Sequence, residues 1–91
     1  MTAVLGKGRS VVGIFTDGDL RRTLEGQPDI RSLQIRAVMK PNPRTIAPHK
    51  LAAEAVELMD RYKINQLLVV SEDGTLVGAL NMHDLFRAKV I

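Results

Sequence analysis

The 91 residues predict an α+β fold made of a strand-helix-strand-strand-helix unit that occurs twice, with the first copy starting part-way through. Three observations carry this. The chain matches itself without a gap at an offset of 65 residues, which lays Val12-Gly13-Ile14-Phe15-Thr16-Asp17-Gly18-Asp19-Leu20-Arg21-Arg22 on Val77-Gly78-Ala79-Leu80-Asn81-Met82-His83-Asp84-Leu85-Phe86-Arg87. Both stretches follow one order: apolar run, polar turn, apolar run with Val-Gly, polar step, then Asp-Leu opening a helix. Only the second copy has a helical period ahead of its paired strands.

In the first copy, the same offset puts Met1 opposite Gln66 and Val4 opposite Val69. Identities fall at Val4, Val12, Gly13, Asp19, Leu20 and Arg22. Two apolar runs joined by a polar turn lead into a short helix from Asp19 to Glu25. The equivalents of the second copy's first strand and long helix would lie upstream of residue 1, so the chain reads as a fragment of a longer protein. The organisation expected is residues 1–26 as the C-terminal half of a first repeat, 27–37 as a linker, and 38–91 as a complete second repeat.

In that second copy, Thr45-Ile46 is a short strand and Pro48 stands where a helix can begin, because its missing N–H costs nothing there. Leu51, Ala55, Leu58, Met59 and Tyr62 fall on one face of a helix. Glu54, Glu57 and Asp60 lie between them and Arg61 and Lys63 close the helix, a charge order that suits the macrodipole. Gln66 to Val70 is a β-rich run, Glu72-Asp73-Gly74 a hairpin turn, and Leu76 to Leu80 the returning strand. His83 to Ala88 forms a closing helix.

Composition excludes several function classes. Hydrophobic residues make up 45% and charged residues 25%, so the chain should fold rather than stay disordered. Aromatic residues are 3% (Phe15, Tyr62, Phe86), too few for a platform that stacks single-stranded bases. There is no cysteine, which removes disulfide frameworks, zinc ribbons and thiol nucleophiles. No apolar run approaches a membrane span and no signal segment opens the chain, so a cytoplasmic protein with no membrane partner is expected. The net charge of +3 is uneven: Arg31, Arg36, Lys40, Arg44 and Lys50 follow one another with no acid between Ile30 and Ala53. That stretch is either a solvated basic linker or the counterpart of an anionic partner. Nucleic acid is not the expected partner, since no recognition helix accompanies the basic residues. His49 and His83 have no cysteine or serine partner pattern and the carboxylates form no evident acid/base pair. Neither a catalytic site nor a metal site is expected.

The pattern resembles the CBS domain, named for cystathionine β-synthase, which occurs in tandem pairs. The resemblance rests on Val12-Gly13-Ile14-Phe15-Thr16-x-x-Asp19-Leu20 in one copy. In the other it rests on Asn42-Pro43-x-Thr45-Ile46, Ala52-x-x-Ala55-x-x-Leu58-Met59 and Val77-Gly78-Ala79-Leu80-x-x-x-Asp84-Leu85. Within that family, Gly13 to Arg22 followed by Val38-Met39-x-x-Asn42-Pro43-x-Thr45-Ile46 looks like the C-terminal part of arabinose 5-phosphate isomerases, enzymes with a sugar-isomerase (SIS) domain that feed Kdo synthesis for lipopolysaccharide or capsule. The isomerase chemistry of that family belongs to the preceding SIS domain, none of which is present here, so the chain is not expected to be an enzyme by itself.

Thr16-x-x-Asp19 supports two readings. As a capping box, Thr16 Oγ1 accepts from the Asp19 amide while the Asp19 carboxylate reaches back to the Thr16 amide. As a ligand site, which the resemblance favours, the Asp19 carboxylate accepts both hydroxyls of a ribose and Thr16 meets a phosphate or sugar oxygen, with Asp17 between them. The second copy has Asn81 in place of Thr16 and keeps Asp84, so Asn81 and Asp84 rank below Thr16 and Asp19. The resemblance also implies a ligand cleft shared between repeats, to which the loop from Asn42 to Ile46 gives backbone groups and Thr45 a hydroxyl. A phosphate near a carboxylate needs cations, and Arg21, Arg22, Lys40 and Arg44 are nearest in sequence, Arg44 foremost. The function implied is a regulatory module that needs no cofactor and binds AMP, ATP, CMP or the nucleotide-sugar CMP-Kdo, thereby modulating an attached SIS domain. The alternative is a ligand-free module that holds a homo-oligomer together through the helices after Asp19 and His83.

Overall fold

The computed structural model describes residues 1–26 and 29–87, which form two compact units, Met1–Pro43 and Arg44–Ile91. In the first unit, strands β1 (Thr2–Leu5) and β2 (Val11–Phe15) flank a short 3-10 turn at Lys7–Arg9. Helix α1 (Asp17–Gly26), helix α2 (Ile35–Val38) and strand β3 (Lys40–Pro41) follow. The second unit runs β4 (Thr45–Ile46), α3 (Ala52–Tyr62), β5 (Gln66–Val70), β6 (Leu76–Asn81) and α4 (Met82–Arg87). The mixed α and β architecture is the one expected. Ala88, the expected end of the closing helix, lies outside the described residues, as do Gln27 and Pro28.

Each unit has one three-stranded sheet, ordered β1-β2-β3 and β4-β5-β6. The repeat is visible in their registers. Val4 pairs with Gly13 and Leu5 with Val11, with an irregularity between Val4 and Leu5. At the same offset of 65, Val69 pairs with Gly78 and Val70 with Leu76, with an irregularity between Val69 and Val70. A bulge is an inserted residue that locally changes twist, and both hairpins place it one step past the Val-Gly pair.

The third strands differ. β4 lies parallel to β5, whereas β3 lies antiparallel to β2 through Gly13 opposite Pro41 and Ile14 opposite Lys40. The compact first unit therefore extends to Pro43, past the residue 38 at which the second repeat is expected to begin. Val38, Met39, Lys40 and Pro41 belong with the first unit because they pack on β2 and pair with it. The expected linker also carries α2, a single helical turn. Proline is tolerated in β3 because an edge strand does not need every N–H.

The second unit buries a core of Ile46, Ala55, Met59, Leu67 and Leu85, with Val56, Leu58, Ile64, Val69, Leu80 and Met82 packed against it. Met59 and Leu67 are completely enclosed, each burial contributing roughly 1.5–3 kcal/mol. Two expectations about α3 change. The helix starts at Ala52 because Leu51 is extended, at φ −73° and ψ 147°, while Pro48 opens a turn closed by the Lys50 amide on the Ala47 carbonyl. Leu51 consequently stands outside the core and is 68% exposed. At the other end Lys63 adopts the left-handed conformation, and its amide satisfies the carbonyls of Asp60 and Met59. The expected turn forms as a loop in which Asp73 accepts from the Ser71 hydroxyl and the Thr75 amide. Gly74 takes the positive φ of 87° that this loop requires.

The first unit is organised differently: among its described residues only Gly13 and Asp19 are buried. A Cβ on Gly13 would stand 2.5 Å from Met39 Sδ and 2.9 Å from the Lys40 carbonyl oxygen, so β3 approaches a bare backbone. At the repeat-related Gly78 the nearest atom would be 3.8 Å away, an ordinary contact. The two glycines should respond differently to one methyl group. Gly13→Ala is expected to cost about 1–3 kcal/mol, the usual cost of overpacking, and Gly78→Ala less than about 1 kcal/mol. Denaturant melts of the two variants check this, and equal losses would contradict the close packing of Met39 on β2.

Candidate functional site

The turn from β2 into α1 brings Thr16 and Asp19 together. Thr16 precedes the helix, so its side chain is free to meet an amide that has no partner within the helix. Thr16 Oγ1 accepts from the Asp19 amide at 3.2 Å. Asp19 folds back, and its Oδ2 accepts from the Thr16 amide at 2.8 Å and the Thr16 hydroxyl at 2.9 Å. The capping box is thus complete and reciprocal. Thr23 adds a bond from its hydroxyl to the Asp19 carbonyl at 2.7 Å.

The Asp19 side chain is only 4% exposed, and its remaining oxygen meets two cations. Arg22 Nη2 donates to Oδ1 at 2.5 Å and Lys40 Nζ stands 3.6 Å from the same atom. Burial pushes the Asp19 carboxyl up. The hydrogen bonds from Thr16, the bond from Arg22 and the charge of Lys40 outweigh it and hold the group below its ordinary 3.8. Asp17 is exposed beside it in the first turn of α1.

The repeat-related position in the second unit is built differently. Asn81 Oδ1 accepts from the Asp84 amide at 2.8 Å, which is one half of a capping box, and the Asp84 side chain is exposed. Of the loop residues, Asn42 has a left-handed φ of 51°. Thr45 is exposed and lines an open groove with Lys50, Glu54, Glu57 and Arg61. Ile46 puts its side chain into the core, so only its backbone is available to a ligand. Arg44 lies over the Tyr62 ring, 3.4 Å from its centroid, a cation–π contact that holds the guanidinium on α3. His49 and His83 are exposed, and no group of three metal-ligating side chains occurs among the described residues.

The family model for the CBS domain matches residues 35–91. The chain belongs to the CBS-domain family. The match extends to β1 and α1 through whole-chain relatives. An arabinose 5-phosphate isomerase, KdsD of Pseudomonas aeruginosa, is 50% identical over 91 residues, which is all of this chain and 28% of the relative. The chain therefore spans little more than a quarter of that protein and corresponds to its CBS region. CBSX2, solved in complex with AMP, superposes with a TM-score of 0.83 at 23% identity, covering 97% of this chain and 71% of that one. The CBS protein PAE2072 of Pyrobaculum aerophilum, complexed with AMP, gives a TM-score of 0.80 at 24% identity, covering 91% of this chain and 63% of that one. These likenesses show that the fold is that of a CBS pair.

Three features of the site escape a reading of the sequence. Arg22, three residues from Asp19, has the spacing of a helical ion pair but reads equally as a solvated arginine. Lys40 reaches the same carboxylate only because β3 pairs with β2, and no local pattern announces that strand. The stacking of Arg44 on Tyr62 is also unannounced, since Tyr62 has the period of a core residue.

Because the folded Asp19 titrates below its unfolded value, its contribution to stability is present above about pH 4 and is lost as pH falls through the lowered value. Asp19→Asn should cost roughly 1–2 kcal/mol at neutral pH, the worth of a helix cap with a charged partner. The difference from the parent chain should shrink as pH falls below 3.8. Urea melts at neutral and acid pH measure this, and a difference that does not shrink in acid would contradict the ionised, paired carboxylate.

Proposed function

We propose that this CBS pair is a nucleotide sensor whose ribose-binding group is Asp19, assisted by Thr16. The observation that carries this reading is the buried Asp19 carboxylate in the first turn of α1, held ionised by Thr16 and flanked by two exposed cations. An ionised carboxylate can accept both hydroxyls of a ribose, and the cations supply what a phosphate needs. The AMP complexes of CBSX2 and of the Pyrobaculum protein support an adenosine nucleotide. The likeness to arabinose 5-phosphate isomerase supports CMP-Kdo, a cytidine nucleotide-sugar, as an end-product signal. The Asp84 site ranks second because its capping box is half formed and its carboxylate exposed. Asp17, Arg44, Asn81 and the exposed Thr45 are candidates for further ligand contacts, and Ile46 for a backbone contact.

On this reading a SIS isomerase domain like that of the relatives would carry catalysis, and the present chain would regulate it. Binding would bias the isomerase through a coupling of roughly 1–3 kcal/mol. Self-association through the helices is favoured by a separate observation: Leu20 and Leu24 on α1 are 37% and 42% exposed, and Phe86 on α4 is 57% exposed.

The test is a thermal-shift and calorimetry panel of AMP, ATP, CMP and CMP-Kdo. A ligand at a hundred times its dissociation constant should stabilise the fold by roughly 2.7 kcal/mol. Stabilisation by one nucleotide, abolished in Asp19→Ala, is the expected result. Binding that survives Asp19→Ala would remove the ribose assignment. Absence of binding, with dissociation on Leu24→Glu, would leave the association module as the function.

A further inference from the structure

We propose that Arg22 and Lys40 form an exchangeable latch on Asp19, which makes the site select phosphorylated nucleotides over neutral nucleosides. The inference rests on the ribose-binding reading of Asp19 and deepens it. Three of the four acceptor positions of the carboxylate are hydrogen-bonded in the ligand-free chain, and the fourth faces a cation, whereas a diol needs two. Oδ2 serves the Thr16 amide and hydroxyl, and Oδ1 serves Arg22 at 2.5 Å and Lys40 at 3.6 Å. A diol must therefore displace something.

The Thr16 bonds belong to the capping box and hold the start of α1, so releasing them would fray the helix. The two cations are different. Their side chains are 61% and 58% exposed, while the carboxylate they share is 4% exposed. Both come from the solvent side on flexible stems and can leave without unmaking any backbone structure.

The charge count decides which ligand can open the latch. Two cations share the one Asp19 carboxylate, and both would lose that partner if a ligand took it. A neutral nucleoside offers hydroxyls to Asp19 but strands Arg22 and Lys40 without their counter-ion. A nucleotide returns a phosphate to the cations as its ribose takes the carboxylate, so each charge keeps a partner through the exchange. The second unit lacks the device: Arg87 repeats Arg22 and Asp84 repeats Asp19, yet among the described residues Asp84 is exposed and has no ion pair.

Calorimetry with AMP and adenosine on the protein and its Arg22→Met, Arg22→Lys and Asp19→Ala variants tests the latch. Methionine keeps the length of the stem and removes charge and donors. Arg22→Met should tighten adenosine about two- to fivefold, the range of a released solvent-accessible ion pair. The same change should weaken AMP roughly tenfold or more through the lost charge-assisted bond. Arg22→Lys should retain the preference for AMP. In the parent chain, added salt should weaken AMP and leave adenosine unweakened, a comparison that needs no variant to fold. Lys40→Met provides the same comparison from the other cation. An unchanged AMP-to-adenosine ratio in Arg22→Met, with both ligands lost in Asp19→Ala, would overturn the latch and keep the ribose site. Equal binding by Asp19→Ala and the parent would overturn both.

Discussion

An ionised carboxylate shut away from water must be surrounded by donors, and in this chain that requirement shapes the first unit. Asp19 is the unit's one buried charged group among the described residues, and its partners come from three places: the turn at Thr16, the next helical turn at Arg22, and β3 at Lys40. Removing water from a charge costs several kcal/mol unless such partners replace it. The turn into α1, the first turns of the helix and the edge strand are therefore held to one atom pair. In the second unit an apolar core around Met59 and Leu67 performs the organising role, and the equivalent Asp84 remains in solvent.

The two copies show how a repeat keeps a scaffold and varies its chemistry. Their hairpins share a register residue for residue, including the position of the bulge, because the Val-Gly pair and the alternation around it are preserved. The neighbours of the two glycines are not preserved. β3 lies against Gly13 so closely that Lys40 is delivered to Asp19, while Gly78 has space above it. That packing difference accounts for Lys40, whereas Arg22 joins Asp19 from within α1 and Asp84 has no ion pair among the described residues.

How much of this was legible in the sequence depends on how local each interaction is. The repeat, the α+β class and the strands of the second unit follow from patterns within a few residues, and they are present. The capping box joins residues three positions apart and is visible as Thr16-x-x-Asp19, and so is the half box at Asn81 and Asp84. Lys40 was not legible as a partner, because a two-residue strand with a proline has no periodicity to read. Leu51 has a spacing that fits the helical face, but its extended backbone keeps it outside the helix. Tyr62 fits that face too, but it ends the helix and offers its ring to Arg44. The preference for one carboxylate over the other was drawn from Thr16 against Asn81. The geometry adds a second difference, burial, that composition does not reveal.

The central claim is that Asp19, not Asp84, is the group that meets a nucleotide. The most direct measurement is a carbon-13 NMR titration of the aspartate side-chain carboxyls, in the free protein and with AMP. The account predicts that the Asp19 carboxyl titrates below 3.8 in the free protein and that its resonance shifts on addition of AMP, while that of Asp84 stays in place. A shift confined to Asp84, with Asp19 unmoved, would contradict it.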